Sequence, residues 1–195
     1  AALSLPLARR IGSAPVELLD YVRLDNIANG FPERPGPALA GPDFQRDLEA
    51  AIAEMPGPIK RALEPRLAGV YLMQGLGSTG FTDKILDAGG RPVAAYVILD
   101  LDLLVRRKAN EWASWKENTP FRADNTTRLI ATIESSDDDN RKNAIQYILL
   151  HEFGHVLAMG RNVHPPWWEK AAEVKPMDFP FFALSWNYSS KEQRF

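Results

Sequence analysis

Cysteine is absent from the 195 residues of this chain. Its absence excludes disulfide bonds, thiolate metal ligands and cysteine nucleophiles. An excess of either charge is also lacking, because 23 Lys and Arg stand against 25 Asp and Glu for a net charge of −2. This balance gives no basis for nucleic-acid binding. No apolar run approaches the roughly 20 residues of a membrane-spanning helix, so we expect no such segment.

Histidine is scarce and unevenly placed. The chain holds three, and all lie between positions 151 and 164: His151, His155 and His164. The first two form an HExxH motif in which Glu152 follows His151. Imidazole is the commonest side-chain ligand for metals, and zinc is one of the metals it suits best. The clustering therefore predicts a single zinc site.

The spacing within the motif has a physical reason. Residues four apart lie on one face of an α-helix, so His151 and His155 converge on one ion from a single rigid element. Glu152 is rotated by about 100° from His151 and reaches the water on the metal as a general base. Catalytic zinc sites use three protein ligands and keep a position for water. A third ligand is therefore required.

The motif falls in a favourable context. Residues 94–101 and 129–134 are rich in Val, Ile and Leu and read as strands. A long helix is predicted from Asn140 to Met159, with acidic residues before its first turn and Gly160 as its C-terminal stop. The motif then occupies the second half of a helix with a strongly apolar face, as a catalytic HExxH requires.

The N-terminal third differs in composition. Residues 1–67 are proline-rich, and their apolar spacing predicts three helices: one ending near Gly30, one over 44–52 and one over 58–67. We interpret this region as an accessory or prodomain-like piece, or as a helical layer of a single domain. Residues 68–195 then form the catalytic domain.

The stretch His-Glu-Phe-Gly-His-Val-Leu resembles the active-site helix of the zincin metallopeptidases, and in particular the start of the metzincin motif HExxHxxGxxH. The resemblance is confined to residues 151–160. It implies an α+β fold in which a twisted mixed sheet packs on the HExxH helix, with His151 and His155 as zinc ligands and Glu152 as the general base. The family's glycine and third histidine fall at Ala158 and Arg161, so the match departs from the pattern there.

The third ligand is left open by this departure. His164 follows Gly160 as the family's third histidine follows its glycine, but at a longer spacing. The related gluzincins use a glutamate on a later helix, which makes Glu173 or Glu169 the rival ligand. We expect His164.

Two further features resemble the metzincins. Their methionine turn beneath the metal is similar to Met177-Asp178-Phe179-Pro180, or to Ser185-Trp186-Asn187-Tyr188 with Trp186 in the methionine place. The second alignment puts Tyr188 where some members have a tyrosine that stabilises the oxyanion. We therefore add Tyr188 to the catalytic candidates.

These features predict a zinc metalloendopeptidase, a hydrolase in which Glu152 assists attack of a zinc-bound water on a peptide bond of a protein or peptide substrate. Residues 129–134 would hold the substrate by strand addition. The alternatives are a non-catalytic zinc-binding module on a zincin scaffold, and an enzyme kept latent by its N-terminal region. The chain begins at Ala1, as after signal-peptide removal, so we favour an extracytoplasmic location. Oligomeric state is not indicated.

Overall fold

The structure, a computed structural model, describes residues 2–119, 127–165, 173–184, 189 and 191. These residues form an α+β fold with a mixed, open sheet, as the sequence predicts. The helices are α1 (Val16–Asn29), α2 (Pro42–Ala53), α3 (Gly57–Leu63), α4 (Leu101–Leu104), α5 (Ala109–Asn118), α6 (Arg141–Ala158) and α7 (Pro180–Ala183). The chain divides into two compact units, Ala1–Leu157 and Ala158–Phe195.

The sheet belongs to the first unit. Its strands are β1 (Ile11–Ser13), β2 (Gly36–Pro37), β3 (Leu67–Gln74), β4 (Gly80–Leu86) and β5 (Pro92–Asp100). The order is β1-β3-β5-β4, and β2 pairs with the end of β3. β1, β3 and β5 are parallel, whereas β4 is antiparallel to β5 and lies at the edge. The central strands β3 and β5 are almost continuously apolar, as expected for strands covered on both faces.

Helix α1 covers one face of the sheet. Val22 of this helix clusters with Met73 of β3 and Ile98 of β5, and Phe81 of β4 packs against the same cluster. The helix ends at Gly30, whose φ of 76° is left-handed and favours glycine.

Helices α2 and α6 pack together within the same unit. Phe44, Leu48, Ala51 and Ile52 of α2 are all buried, as are Ile145 and Leu149 of α6. Polar bonds fix their register: the Arg141 guanidinium contacts Asp47 at 2.6 Å, and Gln146 Nε2 donates to the Ala51 carbonyl at 3.1 Å.

Residues 129–134 do not form a strand, so this prediction is wrong. The segment is instead bound by side chains of α5: Asn118 bonds both backbone groups of Leu129, Ser114 bonds both of Ala131, and Asn110 binds the end at Glu134. The segment has the composition of a strand, but its backbone groups are bound by a row of polar side chains on a helix rather than by a neighbouring strand.

The first 67 residues contribute directly to the sheet. β1 pairs with β3 over Ile11–Ser13, and the buried Arg10 donates to the carbonyls of Glu64 and Leu67 at 2.8 and 2.5 Å. The N-terminal region thus supplies β1, the strand at one edge of the sheet. Within the described part of the chain, no helix has the length and apolar character needed to cross a membrane.

Candidate metal centre

Helix α6 carries the HExxH motif on a firmly anchored element. Its first turn is capped by Asn140, whose Oδ1 accepts from the Asn143 N–H at 2.9 Å. Ile148, Leu149, Phe153 and Val156 are buried, so one face of the helix is fixed in the core. His151 is consequently turned outward and is exposed, while His155 is half-buried. The predicted helix from 140 to 159 is confirmed to within one residue at each end.

The two histidines of the motif converge. Their Nε2 atoms lie 3.2 Å apart, and their ring centroids are separated by 4.9 Å. Two nitrogens bound to one tetrahedral zinc at 2.0–2.1 Å are separated by about 3.3 Å. The separation of the two Nε2 atoms is therefore close to the one that a shared zinc ion would require.

Glu152 lies beside this pair but points inward. Only 4% of its surface is exposed, and its Oε2 accepts a hydrogen bond of 2.6 Å from the Thr82 hydroxyl of β4. Burial raises the pKa of the Glu152 carboxyl, and this effect outweighs the Thr82 hydrogen bond and the charges of His151 and Lys116, which lower it. The Thr82 hydrogen bond thus fixes the orientation of the carboxyl, and burial raises its proton affinity. Both properties suit a general base.

Strand β4 makes room for this carboxyl. A Cβ atom at Gly80 would lie 2.6 Å from Glu152 Oε1, so any other residue there would force the carboxyl or the strand to shift. Gly80 and Thr82 are separated from Glu152 by about 70 positions and were not anticipated from the sequence. No local pattern reveals them, because their role depends on β4 lying at the edge of the sheet beside α6.

His164 belongs to the second compact unit. Its Nδ1 lies 2.9 Å from the Pro165 carbonyl oxygen. A carbonyl can only accept, so Nδ1 carries the proton, and in the neutral ring the lone pair is on Nε2. Histidine ligands of metals commonly donate their second ring nitrogen to a carbonyl in this way. The tautomer of His164 is therefore the one a metal ligand needs.

The second unit also contains the rival ligand Glu173 and the methionine-turn candidate Met177. Glu173 is exposed, and Met177 is 85% exposed in a 3₁₀ turn, so its thioether does not form the packed floor expected of a methionine turn. The corresponding prediction for Met177 is wrong. Glu169, Trp186 and Tyr188 lie outside the described residues.

Among residues 2–119, 127–165 and 173–184, no three His, Asp or Glu side chains are gathered into one metal-binding group. His151 and His155 are the two potential metal ligands that the described residues bring together. Comparison of the chain with protein-family models, with curated proteins and with solved structures finds no match. The function is therefore inferred from the chemistry of these residues.

Proposed function

We propose that the protein is a zinc-dependent peptidase whose catalytic centre is built on α6. The observation that carries this proposal is the 3.2 Å separation of the His151 and His155 Nε2 atoms beside a buried, hydrogen-bonded Glu152. An HExxH sequence that arises by chance on a helix surface would leave its glutamate exposed to solvent. In this chain the glutamate of the motif is buried. Burying that carboxylate is costly, and its pairing with Thr82 offsets the cost only in part.

The zinc ligands would be His151 and His155, with His164 as the third. The hydrogen bond from His164 Nδ1 to the Pro165 carbonyl supports His164, because it leaves the lone pair on Nε2. Glu173 and Glu169 remain the rival ligands. When bound, zinc polarises a carbonyl group and lowers the pKa of water towards about 7.

Glu152 would act as the general base and then as the general acid. Its carboxylate would accept the proton of the attacking water and pass it to the amine of the departing peptide. The Thr82 hydroxyl donates to Oε2 and so fixes the direction of the carboxylate before substrate binds. Tyr188 remains a proposed donor to the oxyanion.

Strand β4 is the element best placed to hold an extended substrate beside Glu152. Asp100 N–H donates to the Thr79 carbonyl, so Thr79, Phe81 and Asp83 face β5 and the intervening residues face away. The backbone N–H and C=O of Thr82 therefore point outward from the sheet edge. The side chain of the same residue bonds Glu152. A substrate segment that pairs there would lie along the catalytic centre. The bond to be cleaved would then be held beside β4 rather than beside residues 129–134.

The test is hydrolysis of an unfolded protein, such as carboxymethylated casein, by the zinc-loaded chain and by its Glu152→Gln variant. We expect zinc content to be unchanged and hydrolysis to fall by at least a thousandfold. Glu117→Gln, at an exposed position of α5, is the matched control and should keep full activity. Full activity in Glu152→Gln would remove the proposed base.

The burial of Glu152 also favours a second candidate, a zinc-binding module without turnover. A carboxyl that is 4% exposed and bonded to Thr82 is well suited to a structural role. This alternative predicts that the zinc-loaded chain does not hydrolyse casein, and that Glu152→Ala, which removes the acceptor of the 2.6 Å Thr82 hydrogen bond, lowers the midpoint of thermal unfolding. The peptidase proposal instead predicts hydrolysis that a chelator abolishes and added zinc restores.

A further inference from the structure

The 129–134 segment presents an open strand edge that the proposed catalytic centre does not use. Leu129 and Ala131 turn their backbone N–H and C=O groups towards α5, where Asn118 and Ser114 bind them. In an extended chain the residues between them face the opposite way. Ile130 and Thr132 accordingly have no backbone hydrogen bond to any part of the chain that the structure describes.

The exposed side of the segment is apolar as well as open. Ile130 is 78% exposed, and Leu129 and Ile133 are also exposed. The outward groups of Ile130 and Thr132 repeat at about 6.6 Å, which is two residues of extended backbone. An extended polypeptide offers donors and acceptors at this same repeat, so its backbone can satisfy all four groups.

The segment is held rigidly, which distinguishes it from an ordinary surface loop. The three α5 side chains that bind it, Asn110, Ser114 and Asn118, are spaced by four residues and lie on one face of the helix. Ser114 is buried beneath the segment. The edge is thus preorganised, and a partner would not have to order it.

The location of the segment ties it to the catalytic helix. Asn110 N–H donates to Asp139 just before α6, and the Trp112 ring packs on Tyr147 of α6 at 5.2 Å. The helix that holds the segment therefore packs against the helix that carries the HExxH motif.

We propose that the 129–134 segment is an exosite that binds an extended, apolar stretch of the substrate polypeptide by strand pairing, away from the bond to be cleaved. The proposal rests on the proposed peptidase function for the identity of the occupant. A second copy of this chain is a poorer occupant, because two open residues bury far less than the roughly 1,200 Å² of a stable interface. Asp137 and Asp138 are exposed beyond the Glu134 end, so a basic residue at that end of the occupant would be favoured.

The first test measures binding without turnover. The probe is a fluorescein-labelled peptide, Lys-Lys-Thr-Val-Thr-Val-Thr-Lys-Lys, and the protein carries Glu152→Gln. Adding Thr132→Pro removes the outward N–H, whereas Thr132→Ala keeps it and serves as the matched control. We expect Thr132→Pro to weaken binding at least tenfold and Thr132→Ala to change it by less than twofold. Equal binding in all three proteins would overturn the proposal.

A second measurement does not depend on the variant folding. N-methylation of alternate residues in the peptide removes its own donors, and it should weaken binding to the protein with native Thr132 at least tenfold. Binding that is indifferent to N-methylation in both registers would overturn strand pairing. Dimerisation at the concentrations of the assay that Thr132→Pro abolishes would assign the edge to a second copy of the chain and overturn the proposed occupant.

Steady-state kinetics on a long and a short substrate test the exosite independently of the peptidase proposal. In the chain with native Glu152, Thr132→Pro should lower kcat/KM for carboxymethylated casein about tenfold and leave hydrolysis of a four-residue peptide unchanged. Equal loss on both substrates would overturn the exosite. If casein and the short peptide are not hydrolysed by the native chain while the probe still depends on Thr132 N–H, the peptidase proposal fails and the edge stands as a peptide-binding surface.

Discussion

Replacing Thr82 with valine removes the hydroxyl that donates to Glu152 while keeping the shape of the side chain. The lost bond is 2.6 Å long and leads to a buried carboxylate. Hydrogen bonds to charged groups contribute about 1.5–3 kcal/mol. If this energy holds the base in its productive direction, its loss corresponds to a fall in kcat of about 10- to 150-fold.

The assay is steady-state hydrolysis of a quenched fluorescent peptide, with zinc content measured on the same samples. We expect Thr82→Val to keep its zinc and its KM and to lose kcat within that range. Thr82→Ser retains the hydroxyl and is the control, with kcat within about threefold of the native value. A Thr82→Val variant that turns over at the native rate would refute the positioning of Glu152 by β4.

Three further changes test the same framework. Gly80→Ala places a Cβ atom against Glu152 Oε1, so activity should fall at least tenfold with zinc retained, and native kinetics would contradict the close approach. Burial raises the pKa of the Asp100 carboxyl, so the proton it binds in the folded state stabilises the fold at low pH, and this contribution is lost as pH rises through the folded value. In urea unfolding, the native chain should therefore lose stability relative to Asp100→Asn as the pH rises above the ordinary aspartate pKa of about 4, and a constant difference would be the opposing result. Deletion of residues 1–42 removes β1, β2 and the Arg10 bonds, so circular dichroism should show loss of folded structure rather than an activated enzyme.

The strongest patterns in the sequence predicted the core elements. Helix α6 was predicted because its apolar residues recur at helical spacing, and its Ile145, Leu149 and Phe153 are buried. Strand β5 was predicted because its apolar run is preceded by Gly and Pro residues. The convergence of His151 and His155 followed from their spacing alone, because four residues span about one helical turn.

The remaining features depend on contacts between distant residues. Strand β4 mixes Asp83 and Lys84 with apolar residues, so its sequence carried no clear strand pattern, although its Thr82 bonds the Glu152 carboxylate. Residues 129–134 have strand composition, but three polar side chains of α5 bind their backbone groups. No rule of local propensity distinguishes a strand that pairs in a sheet from one that a helix holds.

The zinc content of the purified chain tests the central proposal most directly. Elemental analysis would compare the native chain, after incubation with zinc and removal of the excess, with His151→Ala, His164→Ala and Glu173→Ala. We predict one zinc per native chain, lost with either histidine substitution and kept with Glu173→Ala. A native chain that binds no zinc would contradict the proposed metal centre and leave the paired imidazoles as surface residues of α6.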